Sequence, residues 1–367
     1  MIGNLIIGAD YAIIAIYYML LFLAGFFLTL YLTDKLKNVL PHDQGKKIVK
    51  PDGTVEEVQG GAESRGKTRG TGIIFILVFA CIYLVFMPGV NVETAIYTFV
   101  LIGTMLSGYL DDAAKIPWSE LKKGILDFVL AAICAVNYAY HNGTEVYLLF
   151  MKTKIELPVW LFIPLAILFI FAAINVVNCT DGVDGLCASL SIISIVSYIA
   201  VFTMIDIELI RSISDITYVC LLMLACIIGY LWYNAYPSQA LMGDAGSRPI
   251  GVFLAILALQ SGYILLFIPL CFVFIIDGGL GLFKITVRRV FKIKNFLDSI
   301  RTPVHDDVRK YSEKNIAKLE KKNGGPIKIP ERDKNKNWSD PQIVTRFAMI
   351  QLIISACTLF ATWGNLP

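Results

Sequence analysis

The chain has 367 residues, 56% of them hydrophobic and 17% charged, with a formal net charge of +3 and a mean hydropathy of +0.66. Soluble domains average about 45–50% apolar and about 25% charged residues, so the composition excludes a disordered chain, a secreted disulfide scaffold and an ordinary cytosolic enzyme. What remains is an integral membrane protein with several spans.

The first apolar run, residues 11–33, is too long for a signal-peptide core and reads as a retained span. Nine more follow, at 71–87, 94–110, 124–140, 158–177, 186–205, 216–233, 249–260, 263–283 and 343–363. The fold class this implies is an all-α polytopic membrane protein of about ten transmembrane helices, one domain over residues 1–367. Residues 47–58, around Pro51-Asp52-Gly53, and 146–157 read as short β-hairpins. A long basic loop occupies 284–346, and its Gly-, Pro- and charge-rich part, 323–338, reads as mobile. The eight cysteines lie mostly in apolar runs without metal-ligand spacing and read as small hydrophobes.

An even number of spans places both termini on one side and sorts the loops into two sets. One set carries 29 Lys and Arg, the other only Lys152, Lys154 and Arg211. Without the long loop the contrast is still 12 against 3. By the positive-inside rule the basic set is cytoplasmic and both termini face outward.

Four polar groups then fall on the cytoplasmic face. They are Asp111-Asp112 with Lys115, the run from Asn175 through Asn178, Asp181, Gly182 and Asp184 to Gly185, Asn234 with Met242–Ser247 around Asp244, and His305-Asp306-Asp307. Singly each has an ordinary reading, as a solvated helix end, a turn or a calcium-type loop. Jointly they collect carboxylates that repel unless a cation neutralises them, and oxygen-only ligands favour Mg²⁺ or Mn²⁺ over zinc. If its helix continues, Asp111 shares a face with Lys115 at i, i+4, and Asn175, Asn178, Asp181 and Asp184 follow one drifting face. A cation-coupled transporter or lipid flippase is the reading from another class, but its carboxylates would lie near the bilayer midplane, not at span ends.

At these residues the chain resembles the polyprenyl-phosphate N-acetylhexosamine-1-phosphate transferase superfamily, and within it the phospho-N-acetylmuramoyl-pentapeptide transferase (MraY) family. Asp111-Asp112-x-x-Lys115 is similar to the family's DDxxK, Asn175–Gly185 to its NxxNxxDGxDG, and Met242–Ser247 to its MGDxGS. Lys115 and the Asn178–Gly182 run side with this branch; a GlcNAc-1-phosphate transferase is the alternative. Three positions depart from the pattern: the HHH motif appears as His305-Asp306-Asp307, Ala245 replaces Thr, and Leu241 replaces an aromatic residue.

The resemblance implies transfer of phospho-MurNAc-pentapeptide from its UDP-activated form to undecaprenyl phosphate, with Mg²⁺, at the cytoplasmic face of a bacterial inner membrane, by a homodimer. It assigns Asp111, Asp112, Asp244 and His305 to catalysis, with Asp244 and Asp112 as metal ligands. Asp111 would deprotonate or position the lipid phosphate in a direct displacement, a covalent aspartyl-phosphate route being the rival. Lys115 and His305 would neutralise phosphate oxygens. Asn175, Asn178, Asp181, Gly182, Asp184 and Asn234 would hold the nucleotide-sugar, with Lys67, from the segment Arg65–Gly72 that loosely matches the family's TPTMGG, among the substrate-binding residues. Asp306 and Asp307 are expected to turn away from the substrate or pair with Arg309, Lys310 or Arg301.

Overall fold

The structure, a computed structural model, describes residues 11–43, 47–49, 55–57, 66–114, 116, 118–204, 213–293, 296–297, 299–311, 316 and 336–363. Among these, every one of the ten apolar runs is helical. Seven helices are long and apolar enough to cross a membrane: α1 (Tyr11–Leu36), α3 (Val92–Asp112), α4 (Glu120–Asn142), α5 (Val159–Thr180), α6 (Leu186–Met204), α7 (Ile213–Asn234) and α12 (Asp340–Thr362). A pair, α9 (Ile264–Leu270) and α10 (Phe272–Val290), bends by 76° at Cys271 and counts as an eighth if it is one broken span. The remaining two expected spans are α2 (Gly72–Phe86, 15 residues) and α8 (Asp244–Gln260, 17 residues). Both fall short of the roughly 20 residues that a hydrocarbon core requires.

Both expected hairpins form. Strands β1 (Lys47–Val49) and β2 (Val55–Glu57) pair antiparallel with Lys47 opposite Glu57, and β3 (Glu145–Leu148) and β4 (Thr153–Glu156) pair with Glu145 opposite Glu156. The second turns through Lys152 at φ 47° and carries a Lys154–Glu145 ion pair of 2.7 Å, which lowers the Glu145 pKa. Of the loop 284–346, α10 supplies the start and a short helix α11 (Val304–Arg309) the middle; most of 323–338 lies outside the described residues.

Packing gathers the chain into two compact units. The first comprises Met1–His141 and Ser214–Pro249. Its core holds Phe75, Ile76, Phe79, Met223, Ile227 and Tyr230, with the Phe75 and Tyr230 rings 5.2 Å apart. Helix α3 starts on a reciprocal cap between Asn91 and Thr94 that satisfies two otherwise free N–H groups. Before α2 the chain is pinned between two other loops: Asp43 N–H donates to the Lys67 carbonyl, and Leu241 N–H to the Thr68 carbonyl.

The second unit comprises Asn142–Ile213 and Ile250–Pro367. Phe162, Ile170, Ile174, Leu186, Tyr198, Phe202 and Phe274 are fully buried there. The break between α9 and α10 strands backbone groups in an apolar interior, where each must find a partner. Gln351 of α12 supplies one, its Nε2 donating to the Pro269 and Leu270 carbonyls and its Oε1 accepting from Val273 N–H. Ser194 also donates to the Leu270 carbonyl. Beyond the break, residues Ile275–Gly279 make a π-helical turn that carries a buried carboxylate, Asp277.

Candidate functional site

In the first unit the end of α3 and the start of α8 come together because Gly108 has no side chain. A Cβ there would lie 2.3 Å from the Asp244 carbonyl. This contact brings two motifs more than 130 residues apart into one carboxylate cluster. Asp112 is buried, with Oδ1 taking a 2.8 Å bond from Arg69 Nε and Oδ2 a 3.2 Å bond from Ala245 N–H. Burial works against the Arg69 charge, but Asp112, Asp244 and Asp43 outweigh it and hold the guanidinium pKa above the arginine value. Asp111 accepts Trp118 N–H at 2.7 Å and meets Lys123 Nζ at 2.5 Å. The same ammonium stands 3.6 Å from Asp244 Oδ2, and Arg248 Nε 3.7 Å from that oxygen. A second contact of Arg248, at 3.2 Å, is to Asp127 on α4.

Lys115 itself lies outside the described residues. The helical spacing invoked for it does not hold, because α3 ends at Asp112 and Ala113 caps it. The cation that reaches Asp111 is Lys123, from the first turn of α4. Arg69, Lys123, Asp127 and Arg248 were not among the expected site residues. Charges inside or at the edge of apolar helices were the signal that could have found them. Lys67 donates to Ser238 Oγ at 3.1 Å. Asn234 is buried, with Nδ2 donating to the Ala240 carbonyl, so it closes the loop before Met242–Ser247.

In these ion pairs five carboxylates (Asp43, Asp111, Asp112, Asp127, Asp244) face three cations (Arg69, Lys123, Arg248). Among the described residues no three His, Cys, Asp or Glu side chains converge as a metal cage. Mg²⁺ does not need one, since it keeps several waters and takes one or two carboxylates together with substrate phosphates. The donor set therefore fits Mg²⁺, and the Lys123 ammonium between Asp111 and Asp244 marks where positive charge is held.

The second unit carries the other cluster. Helix α5 ends at Thr180 with Asp181 as its cap, and Asp184 lies in the turn before α6, so the expected single helical face stops at Asn178. Asn175 bonds back to the Phe171 carbonyl on its own helix, whereas the buried Asn178 Nδ2 has no hydrogen-bond partner among the described residues. His305 is buried on α11 and doubly tied to Asp277, its backbone N–H donating to Oδ1 at 2.7 Å and its Nδ1 lying 2.8 Å from Oδ2. This fixes the ring in the manner of a carboxylate-oriented histidine. The ring rests on Gly182, where a Cβ would approach Nε2 to 2.4 Å. Arg309 fastens α11 by donating to the Gly182 carbonyl at 3.3 Å and pairing with Asp340 at 2.9 Å. Asp306 pairs with Arg309 at 3.5 Å, yet its Oδ1 also stands 4.0 Å from His305 Nε2, so it does not turn away from the ring as expected, and Asp307 accepts the Arg301 backbone N–H at 2.8 Å. Asp277 was not expected, although a lone carboxylate in an apolar run is itself a functional signal.

The sequence was also compared with those of known proteins. The pattern of Glycosyl transferase family 4 matches residues 94–262. The phospho-N-acetylmuramoyl-pentapeptide-transferase of Treponema pallidum is 30% identical over 346 residues, 90% of this chain and 85% of the relative. That of Campylobacter lari is 28% identical over 93% of this chain and 92% of the relative, and that of Sorangium cellulosum 26% over 71% of each. With motifs, helical spans and near full-length similarity in agreement, the chain belongs to the phospho-N-acetylmuramoyl-pentapeptide-transferase family.

Proposed function

We propose that this membrane protein transfers phospho-MurNAc-pentapeptide from UDP-MurNAc-pentapeptide to undecaprenyl phosphate, forming lipid I and releasing UMP. The observation that carries the reading is the meeting of Asp111, Asp112 and Asp244 around Arg69 and Lys123, beside the family membership. A phosphate attacking a diphosphate concentrates negative charge, and catalysis must come from positioning and from cations aimed at it. Lys123 and Arg69 supply two such cations. Asp111, held by Trp118 N–H and Lys123, positions the incoming lipid phosphate. Asp112 has both oxygens engaged and holds Arg69 and the start of α8 in place.

Mg²⁺, held by Asp244 and Asp112, would supply Lewis-acid stabilisation of the phosphate oxygens. In the second unit His305 offers Nε2 for a phosphate oxygen, and Asn178, Asp181 and Asp184 are assigned to the nucleotide-sugar. The excess of Lys and Arg in one set of loops supports placing the site at the cytoplasmic face of the inner membrane. A lipid acceptor and a soluble donor can meet only at such an interface. The test is UMP release by purified protein in detergent, with undecaprenyl phosphate, Mg²⁺ and either UDP-MurNAc-pentapeptide or UDP-GlcNAc. Turnover of the first alone is expected; efficient use of UDP-GlcNAc would move the chain to the other branch, and no UMP from either donor would end the reading.

A further inference from the structure

Arg248 has no part in the motifs, yet it is almost wholly enclosed, at 3% exposure, one turn after Asp244 on α8. Its guanidinium uses three directions at once. Nη1 donates to Ser107 Oγ of α3 at 2.9 Å, Nη2 lies 3.2 Å from Asp127 Oδ2 of α4, and Nε faces Asp244 Oδ2 at 3.7 Å. Asp127 is 1% exposed, and neither of its oxygens has a hydrogen-bond partner among the described residues. The Asp127–Arg248 contact is therefore Coulombic and not a well-aligned hydrogen bond. Buried ion pairs of this kind seldom add stability over apolar packing, because desolvation offsets the attraction. A planar, always charged fork does, however, fix the direction of what it touches.

We infer that Arg248 is a positioning residue for Asp244: Ser107 and Asp127 hold its guanidinium, and the guanidinium holds the Asp244 carboxylate in one orientation. The 3.7 Å separation is outside hydrogen-bond range, so Arg248 acts on the Asp244 oxygen, which Lys123 also faces at 3.6 Å, by Coulombic attraction without taking a hydrogen bond from it. Asp127 acts one step further out, as the counter-charge that makes a buried arginine tolerable at this point.

The inference rests on the transferase reading, and its test separates the two. Arg248→Met, Asp127→Asn and the double variant Asp127→Asn with Arg248→Met are compared with wild type in detergent. Three quantities are read: melting temperature, affinity for Mn²⁺ alone by electron paramagnetic resonance, and kcat and KM for UMP release. Arg248→Met should melt lower, since Asp127 is left without its counter-charge, and the double variant should recover most of that loss. In both, kcat at saturating metal should remain down by about tenfold to a hundredfold with KM for the nucleotide-sugar little changed, the effect of a misplaced group. Mn²⁺ should bind at least as tightly as in wild type in Arg248→Met, because a competing positive charge has gone, and about as tightly in the double variant, whose net charge is unchanged. Weaker Mn²⁺ binding in the double variant, or wild-type kcat in it, overturns the inference and leaves Arg248 a mere partner for Asp127. A double variant that does not fold overturns it as well. A wild-type protein that releases no UMP defeats the transferase reading instead, and the Mn²⁺ comparison still judges Arg248.

Discussion

Replacing Asp277 by Asn perturbs the histidine cluster with the least change of shape. The amide keeps an oxygen that can accept His305 N–H, now at 2.7 Å from Oδ1, but places an NH₂ or an uncharged oxygen opposite Nδ1, where the carboxylate stands at 2.8 Å. Both residues are buried, so water cannot substitute for the lost partner. A hydrogen bond to a charged group contributes about 1.5–3 kcal/mol. If His305 must be held in one tautomer with Nε2 toward a phosphate oxygen, that loss appears in the barrier as about a 10- to 100-fold fall in kcat. The assay is UMP release at saturating substrates, with a thermal melt showing that the variant is folded. Asp277→Ala should be worse, because it also orphans the backbone N–H of His305. Asp277→Asn with kcat within about threefold of wild type, a barrier change under about 0.7 kcal/mol, would refute the view that Asp277 orients His305 for the reaction.

Other outcomes follow from the same geometry. Gly182→Ala puts a methyl 2.4 Å from His305 Nε2, so the ring must retreat by roughly 1 Å and kcat should fall about 100-fold; unchanged turnover would mean that His305 is not needed where it lies. His305→Ala should lose most activity while Asp306→Ala and Asp307→Ala change it little, and equal losses in all three would place the carboxylates in the chemistry. Gln351→Leu leaves the Pro269 and Leu270 carbonyls and Val273 N–H without its bonds, and at about 1–3 kcal/mol for an unsatisfied buried group the melting temperature in detergent should drop measurably. An unshifted melt would mean that other groups hold the broken helix.

The apolar helices and the hairpins were legible, though the number that cross a membrane was not, because each is a property of a short stretch of sequence. A segment that crosses lipid must be apolar along its own length, and a hairpin needs its own turn residues. Motif residues were legible for the same reason, since DD, DGxDG and GDxGS each announce themselves locally. Ion-pair partners are a property of packing. Asp111 has Lys115 as its obvious neighbour in sequence, yet α3 stops at Asp112, and the chain turns back so that Trp118 N–H and Lys123 reach the carboxylate. Asn234 reads in sequence only as a polar side chain beside a motif, whereas packing also shows its Nδ2 tying the loop to the Ala240 carbonyl. Asp277 was visible as a charge in an apolar run, but only the bent α9–α10 pair and its π-turn bring it to His305.

We propose that Asp244, set between Lys123 and Arg248, supports a metal-assisted phosphoryl transfer to a lipid phosphate. The most direct measurement is the mass of the lipid product and the stoichiometry of UMP formed by wild type and Asp244→Asn, with UDP-MurNAc-pentapeptide, undecaprenyl phosphate and Mg²⁺. Wild type should give one UMP per lipid carrying MurNAc-pentapeptide through a diphosphate, and folded Asp244→Asn should be slower by orders of magnitude. A folded Asp244→Asn protein within about tenfold of wild type, a barrier change of only about 1.4 kcal/mol, would contradict the account.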